Sequence, residues 1–254
     1  ISDASFSRQL TDAIERNDIK LYYQPRLNAN TGYFSVLEVI VKWTDPKRGD
    51  MSPDDFRPLI EEAALTEQFT CWMVKKAFED IRYWHKNEFV VRVSLHITLN
   101  DVIEPGVLNV VARELQDSKF PARDFSLEVS EKALMRISDK AKRYLEKLRS
   151  IGVNVIADHF GEGASTIQSL FVLPVDAVKL SEDLVRKATS NSDKKRALLS
   201  MVKMARSRGL KTIATGVDDR SKLLLLRQIG CEELQGSILS KPQSKDDIPW
   251  ARIR

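Results

Sequence analysis

Three carboxylates and one lysine lie at or near the ends of segments whose residue pattern is typical of β-strands. They are Glu38, Glu128, Asp158 and Lys179. Carboxylates of this kind bind divalent cations, which activate water and neutralise phosphate charge in phosphoryl chemistry. The set therefore predicts metal-assisted phosphoryl chemistry, provided that the fold brings the four residues together. The alternative is that polar residues at strand ends simply meet solvent.

The elements that must position these residues alternate between strands and helices along the chain. Short connections between them favour parallel βα units. No glycine-rich nucleotide loop follows the first strand, so a closed barrel is favoured over an open sheet. We expect Pro25 to end the first strand. The predicted strands span residues 19–24, 34–43, 90–97, 125–130, 153–158, 175–180, 210–214 and 233–235.

The C-terminal ends of the strands carry the active site in barrels of this kind. Further polar residues fall at those ends in this sequence, so we expect a ring of polar side chains at one face of the barrel. Besides the four named above, the ring contains Ser94, His96, Glu131, His159, Thr215 and Gln235.

The composition, 43% hydrophobic and 30% charged, is typical of a globular protein. The length of 254 residues and the lack of an interior linker in the sequence predict one domain over residues 1–254. A net charge of +4 is too small to indicate nucleic-acid binding by itself. Cys71 and Cys231 lie far apart and suggest no disulfide framework, so we expect a cytoplasmic protein. No apolar run approaches the ~20 residues of a membrane span, so we expect no membrane contact by this segment. Since the chain starts at Ile1 rather than at a methionine, we expect it to be a piece of a longer multidomain protein, which a membrane segment could anchor.

Eight short segments, in a fixed order and covering nearly the whole chain, resemble the motifs of the bacterial EAL domain. Residues 21–25 resemble its YYQP opening, residues 36–43 its EALLRW segment, and residues 127–131 its LEITE segment. Further along, residues 158–163 resemble DDFGTG, residues 173–179 resemble LPVDTLKI, and residues 214–218 resemble AEGVE. Residues 235–237 and 240–242 are similar to QGY and SRP. The resemblance implies a TIM-like (α/β)8 barrel of EAL type.

EAL domains hydrolyse cyclic di-GMP with Mg²⁺ or Mn²⁺, so the resemblance also implies roles for single residues. Glu38, Glu128 and Asp158 match metal ligands of the family. Lys179 and Gln235 match residues near the attacking water. Glu131 matches the glutamate that supports the loop after Asp158. The residues that match ligand contacts are Gln24, Ile40, Lys42 and Asp158.

The departures from the family pattern fall on the metal site itself. Ser94 replaces a ligand asparagine, His159 replaces the second aspartate of DDFGTG, and Thr215 replaces the glutamate of AEGVE. His159 and Thr215 together remove two negative charges from a two-cation site. Each lost ion pair corresponds to about 4 kcal/mol at ~4 Å and an effective dielectric near 20. We therefore expect weak or absent metal binding and vestigial roles for Lys179, Gln235 and the remaining carboxylates.

Other departures affect the ligand contacts. Ile40 and Lys42 stand where the family has the leucine and arginine of ALLR, and Leu239 replaces a phenylalanine before SRP. Glu162 and Ala164 replace the threonine and tyrosine of the loop. A lysine cannot make the planar two-point contact of an arginine with phosphate. We expect cyclic di-GMP to bind weakly or not at all.

These observations predict a catalytically inactive regulatory domain that acts through an unidentified protein partner. One alternative is a cyclic di-GMP receptor without hydrolytic activity, and a second is a residual phosphodiesterase. His96 shares a strand face with Ser94, so a rebuilt site for a softer metal is a further alternative to a neutral, hydrogen-bonded histidine. The aromatic pattern at Trp72, Phe78 and Trp84 predicts core packing, with a homodimer surface as the alternative.

Overall fold

Eight strands close into a barrel in this computed structural model, which describes residues 3–46, 48–98, 101, 105–162 and 173–254. The strand order is β1-β9-β8-β7-β6-β5-β4-β2, and pairing of β1 with β2 closes the ring, while the short β3 extends β2 at its outer edge. The closed barrel predicted from the sequence is confirmed. The strands are β1 Ile19–Asn28, β2 Phe34–Asp45, β3 Gly49–Met51, β4 Arg92–His96, β5 Phe125–Ser130, β6 Asn154–Phe160, β7 Ala177–Leu180, β8 Lys211–Ala214 and β9 Glu233–Leu234.

Helices lie between most successive strands, as the alternating pattern predicts. The start of the second helix is predictable from the sequence, because Ser52 precedes a proline at the first helical position. In the structure the backbone N–H of Ser52 donates to the Asp55 carboxylate at 2.9 Å, as in a capping box. The described helices are α1 Asp3–Glu15, α2 Pro53–Glu62, α3 Thr66–Lys86, α4 Pro105–Ser118, α5 Glu131–Leu134, α6 Asp139–Ser150, α7 Glu182–Ser190, α8 Ser192–Ser207 and α9 Arg220–Ile229. Among these helices, none is both long enough and apolar enough to cross a membrane.

The first strand departs from the prediction in direction and in length. β1 runs antiparallel to both β2 and β9, whereas the other barrel strands pair in parallel, so the barrel is mixed. The expectation that Pro25 ends the strand was wrong, since β1 continues to Asn28. The N–H of Tyr23 donates to Gln243 rather than to β2. The backbone nitrogen of Pro25, two residues further on, points to the same side as that of Tyr23. On that side β9 pairs with β1 only at Leu27 and Asn28, so the missing N–H of Pro25 breaks no hydrogen bond between strands.

The barrel has two open ends, which we name by strand direction. The upper mouth lies at the C-terminal ends of the parallel strands and includes Asp158 and Gln235. The lower mouth lies at their N-terminal ends and includes Asn154 and Lys211. Seven of the ten polar residues predicted at strand ends line the upper mouth, and Ser94, Glu128 and Glu131 do not. An active site at this end is expected for the architecture.

The long helix α3 packs against the first strand and joins it to the rest of the core. Phe78 and Trp84 are buried and Trp72 is partly buried, so the predicted core packing is confirmed for the first two. The Trp84 ring meets the Tyr23 ring edge-on at 4.7 Å between centroids. The Tyr23 hydroxyl donates to the buried Asp80 carboxylate at 2.7 Å. A tyrosine of the motif at residues 21–25 thus has a structural role in joining β1 to α3.

Replacing Tyr23 with phenylalanine tests this joint. The Tyr23→Phe variant leaves the buried Asp80 carboxylate without its hydroxyl donor, so we expect a loss of about 1–3 kcal/mol in the free energy of unfolding. Urea denaturation followed by circular dichroism measures the loss. The matched control is Tyr83→Phe, at a side chain that is 45% exposed, with an expected change within about 0.5 kcal/mol. Equal stability of the two variants would contradict this role.

Candidate functional site

The carboxylates and the lysine singled out in the sequence converge inside the barrel below the upper mouth. The Nζ of Lys179 lies 2.7 Å from an Oε atom of Glu38 and 2.7 Å from an Oε atom of Glu128. It lies 4.0 Å from Oδ2 of Asp158. All four side chains are nearly inaccessible to solvent. The strands bring together residues that lie up to 141 positions apart in the chain.

A second buried cation, Arg26, completes this cluster from below. Its Nη2 donates to Glu128 at 2.5 Å, to Glu38 at 3.2 Å and to the Ser94 hydroxyl at 3.1 Å. Its Nη1 donates to Glu233 at 3.3 Å. Only 1% of Arg26 is exposed. The carboxylates of Glu38 and Glu128 therefore each contact two cations of the protein itself.

The sequence analysis missed Arg26, although one signal pointed to it. Gln24 lines the upper mouth, and Arg26 is two residues further along the same strand, so both side chains face the barrel interior. An arginine at an inward position of a barrel strand requires carboxylate partners. Its partners come from β2, β5 and β9, and local spacing does not reveal them.

The opposite charges of Glu128, Lys179 and Arg26 hold one another ionised despite burial. Burial alone would lower the pKa of Lys179, but the carboxylates of Glu128 and Glu38 outweigh burial and raise it above its usual value. Burial alone would raise the pKa of Glu128, but the Lys179 ammonium and the Arg26 guanidinium lower it to about 2. Lys179 and Glu128 are therefore both charged throughout the neutral pH range.

The three substituted positions make contacts unlike those of metal ligands. The Ser94 hydroxyl is buried and accepts a hydrogen bond from Arg26. The Thr215 hydroxyl donates to the Leu180 carbonyl oxygen at 3.2 Å. The His159 side chain is 53% exposed, and its residue has a positive φ of 58°.

Two histidines flank Asp158 at the upper mouth. Nδ1 of His96 lies 3.2 Å from the Asp158 carboxylate, and Nδ1 of His159 lies 3.4 Å from it. Burial alone would raise the pKa of Asp158, but the Lys179 cation and the hydrogen bond with His96 hold it below its usual value. One ligand atom each of His96, Glu128 and Asp158 lie within 4.8 Å of one another, so the geometry permits a mixed nitrogen and oxygen site. Lys179 and Arg26 already contact Glu128 in that group.

The loop-supporting role predicted for Glu131 has a matching contact. The buried Glu131 accepts a hydrogen bond from the backbone N–H of Gly161 at 3.2 Å, directly after β6. Glu162 is exposed and lines the upper mouth. The predicted loop positions Gly163 and Ala164 lie outside the described residues.

The upper mouth contains a cavity of about 680 Å³, within the range of small-molecule sites. The Nε2 atom of Gln235 is buried there and has no hydrogen-bond partner among the residues that the structure describes. Lys42, in contrast, is exposed and lies over the Tyr22 ring at 4.4 Å, away from the described lining. The predicted site residues that line the cavity are Gln24, Glu38, Ile40, His96, Asp158, His159, Lys179, Thr215 and Gln235.

Comparisons with protein families and with individual relatives point to the same family. The family model described as EAL domain matches residues 7–242 of this chain. Cyclic di-GMP phosphodiesterase NbdA of Pseudomonas aeruginosa is 30% identical over 241 residues, which are 94% of this chain and 31% of that protein. The bifunctional diguanylate cyclase/cyclic di-GMP phosphodiesterase MucR of the same organism is 28% identical, over 94% of this chain and 35% of MucR. The chain thus spans about a third of the length of these relatives.

Solved structures show the same fold. A structure described as PaMucR phosphodiesterase in complex with c-di-GMP superimposes with a TM-score of 0.87 at 27% identity, and covers 96% of this chain and 99% of its own. The FimX EAL domain of Xanthomonas citri in complex with c-diGMP gives a TM-score of 0.87 at 19% identity. Coverage in that pair is 98% of this chain and 97% of the other. At 19% identity, the similarity to the FimX EAL domain shows a shared fold and nothing further.

Replacing Arg26 with methionine tests the charge cluster. The Arg26→Met variant keeps most of the side-chain length but leaves Glu38, Glu128 and Glu233 without this cation. We expect a loss of about 3–5 kcal/mol in the free energy of unfolding, measured by urea denaturation. The control is Arg113→Met, which removes an exposed ion pair with Asp117 and should cost less than about 1 kcal/mol. A loss below about 1 kcal/mol in Arg26→Met would contradict the account.

Proposed function

Because the chain belongs to the EAL domain family, we propose that it is a catalytically inactive regulatory domain that acts through protein interaction in cyclic di-GMP-linked regulation. One observation carries this proposal. The carboxylates of Glu38 and Glu128, which match metal ligands of the family, are already neutralised by Arg26 and Lys179. Two cationic side chains of the protein thus form ion pairs with the carboxylates that a metal ion would need.

The remaining donors also fit a pair of Mg²⁺ or Mn²⁺ ions poorly. Mg²⁺ requires oxygen ligands in near-octahedral geometry. The Ser94 and Thr215 hydroxyls are engaged within the protein, and His159 offers nitrogen from a largely exposed ring. A dication beside the Arg26 guanidinium would also meet like-charge repulsion in a buried site. These contacts support weak metal binding, and we derive no catalytic step through a metal.

A domain of this kind would act through its surface rather than through chemistry. The barrel keeps the buried core and the mouth of its family, while the substitutions fall on the donor set. Fold and function separate in this way when a site changes on an intact scaffold. The proposed output is therefore contact with a protein partner.

A second candidate function is a cyclic di-GMP receptor that does not cut its ligand. The cavity at the upper mouth favours it, because Gln24, Lys179 and the unpartnered amide of Gln235 line about 680 Å³ of open volume. Against tight binding, Lys42 lies over Tyr22 and Leu239 packs against the core, so neither replaces an arginine or an aromatic ring at the ligand. We expect binding weaker than micromolar.

A hydrolysis assay tests the first proposal. Purified protein incubated with cyclic di-GMP and Mn²⁺ should leave the dinucleotide intact for hours, because Arg26 and Lys179 occupy the carboxylates. Chromatography of the reaction mixture measures the product, and MucR serves as the positive control. Turnover of roughly 1 s⁻¹ or more would show that the domain is an ordinary phosphodiesterase.

Calorimetric titration with cyclic di-GMP separates the two candidates. We expect no saturation at micromolar ligand, with or without Mg²⁺. A one-to-one isotherm with submicromolar affinity would instead establish the receptor. In that case Gln235→Ala should weaken binding by roughly tenfold, since it removes the buried amide that lacks a described partner. An unchanged affinity in that variant would place the ligand outside the upper mouth.

A further inference from the structure

A second cavity, of about 350 Å³, opens at the lower mouth, at the opposite end of the barrel from the residues discussed above. Its lining comes from the first residues of β4 to β9, from the segments that precede them, and from Arg26 of β1 and Val36 of β2. Six basic side chains line it, against the two carboxylates of Asp176 and Glu233. The six are Arg26, Arg92, Arg123, Arg149, Arg208 and Lys211.

The carboxylates do not neutralise this basic lining. Asp176 is engaged by Arg149 at 2.7 Å and also accepts the N–H of Val155. Glu233 is engaged by Arg26 at 3.3 Å. Arg123 and Lys211 are exposed and have no ion pair among the residues that the structure describes. The cavity therefore keeps an excess of positive charge.

The cavity has an apolar wall, and one of the arginines that line it has a buried donor without an acceptor among the described residues. Ile156, Ala177 and Ile213 form a small buried cluster of their own inside the barrel, and all three line the cavity. Nε of Arg26 is buried and has no acceptor among the described residues. A buried donor of this kind costs free energy unless a bound group or water accepts from it.

We propose that the lower mouth binds a small organic phosphate of mononucleotide size. A volume of about 350 Å³ lies within the range of small-molecule sites. An arginine binds phosphate oxygens through paired N–H donors, and a lysine binds them as a point charge. The exposed Arg123 and Lys211 are available for these two kinds of contact. The apolar cluster of Ile156, Ala177 and Ile213 would pack against the uncharged part of the ligand.

The test titrates the intact chain with guanosine 5′-monophosphate, inorganic phosphate and guanosine by calorimetry. We expect the nucleotide to bind saturably with a dissociation constant below about 1 mM, inorganic phosphate to bind more weakly, and guanosine not to bind. The double variant Arg123→Ala/Lys211→Ala should weaken nucleotide binding by roughly tenfold or more. Both side chains are exposed, so the variant should fold, which circular dichroism verifies.

The control is the double variant Arg113→Ala/Lys195→Ala, which removes the same charge from exposed helix positions outside the cavity lining and should bind as the wild type does. Three results would overturn the proposal. They are the absence of saturable nucleotide binding, equal losses in the two double variants, and equal affinity for inorganic phosphate and the nucleotide. A loss confined to Arg123→Ala/Lys211→Ala supports it.

Discussion

Burying several carboxylates inside one barrel is the constraint on which the rest of this structure depends. Glu38, Glu128 and Glu233 are buried, and removing an ion from water costs several kcal/mol. Arg26 and Lys179 offset that cost with direct contacts of 2.5 to 3.3 Å. Since loss of either cation would leave carboxylates uncompensated, the interior of the barrel requires both.

The same contacts determine what the upper mouth can do. Metal ions and basic side chains compete for the same carboxylate oxygens, and here the basic side chains are part of the chain. The Ser94 hydroxyl accepts a hydrogen bond from Arg26, and the Thr215 hydroxyl donates to a backbone carbonyl. Neither supplies the negative charge of a carboxylate. An intact barrel with a changed donor set fits the proposed regulatory role, because one fold can host different functions.

Arg26 also links the two ends of the barrel. One side of its guanidinium contacts Glu128 of the upper cluster, and the other contacts Glu233, which lines the lower cavity. The antiparallel direction of β1 makes this possible, because it carries Gln24 at the upper mouth and Arg26 toward the lower mouth on one strand face. Both cavities therefore border a single charge network.

The sequence by itself determined the alternation of strands and helices, the barrel, and the residues that approach its upper mouth. Those features depend on local periodicity and on motifs of a few residues, such as the one around Glu38. Only the tertiary structure decided the antiparallel course of β1, the continuation of that strand through Pro25, and the position of Lys42 over Tyr22. It also decided the partners of Arg26, which lie 12, 68, 102 and 207 residues away along the chain. Such contacts depend on the closure of the barrel, and the spacing of residues in the sequence does not encode which side chains meet when a sheet closes.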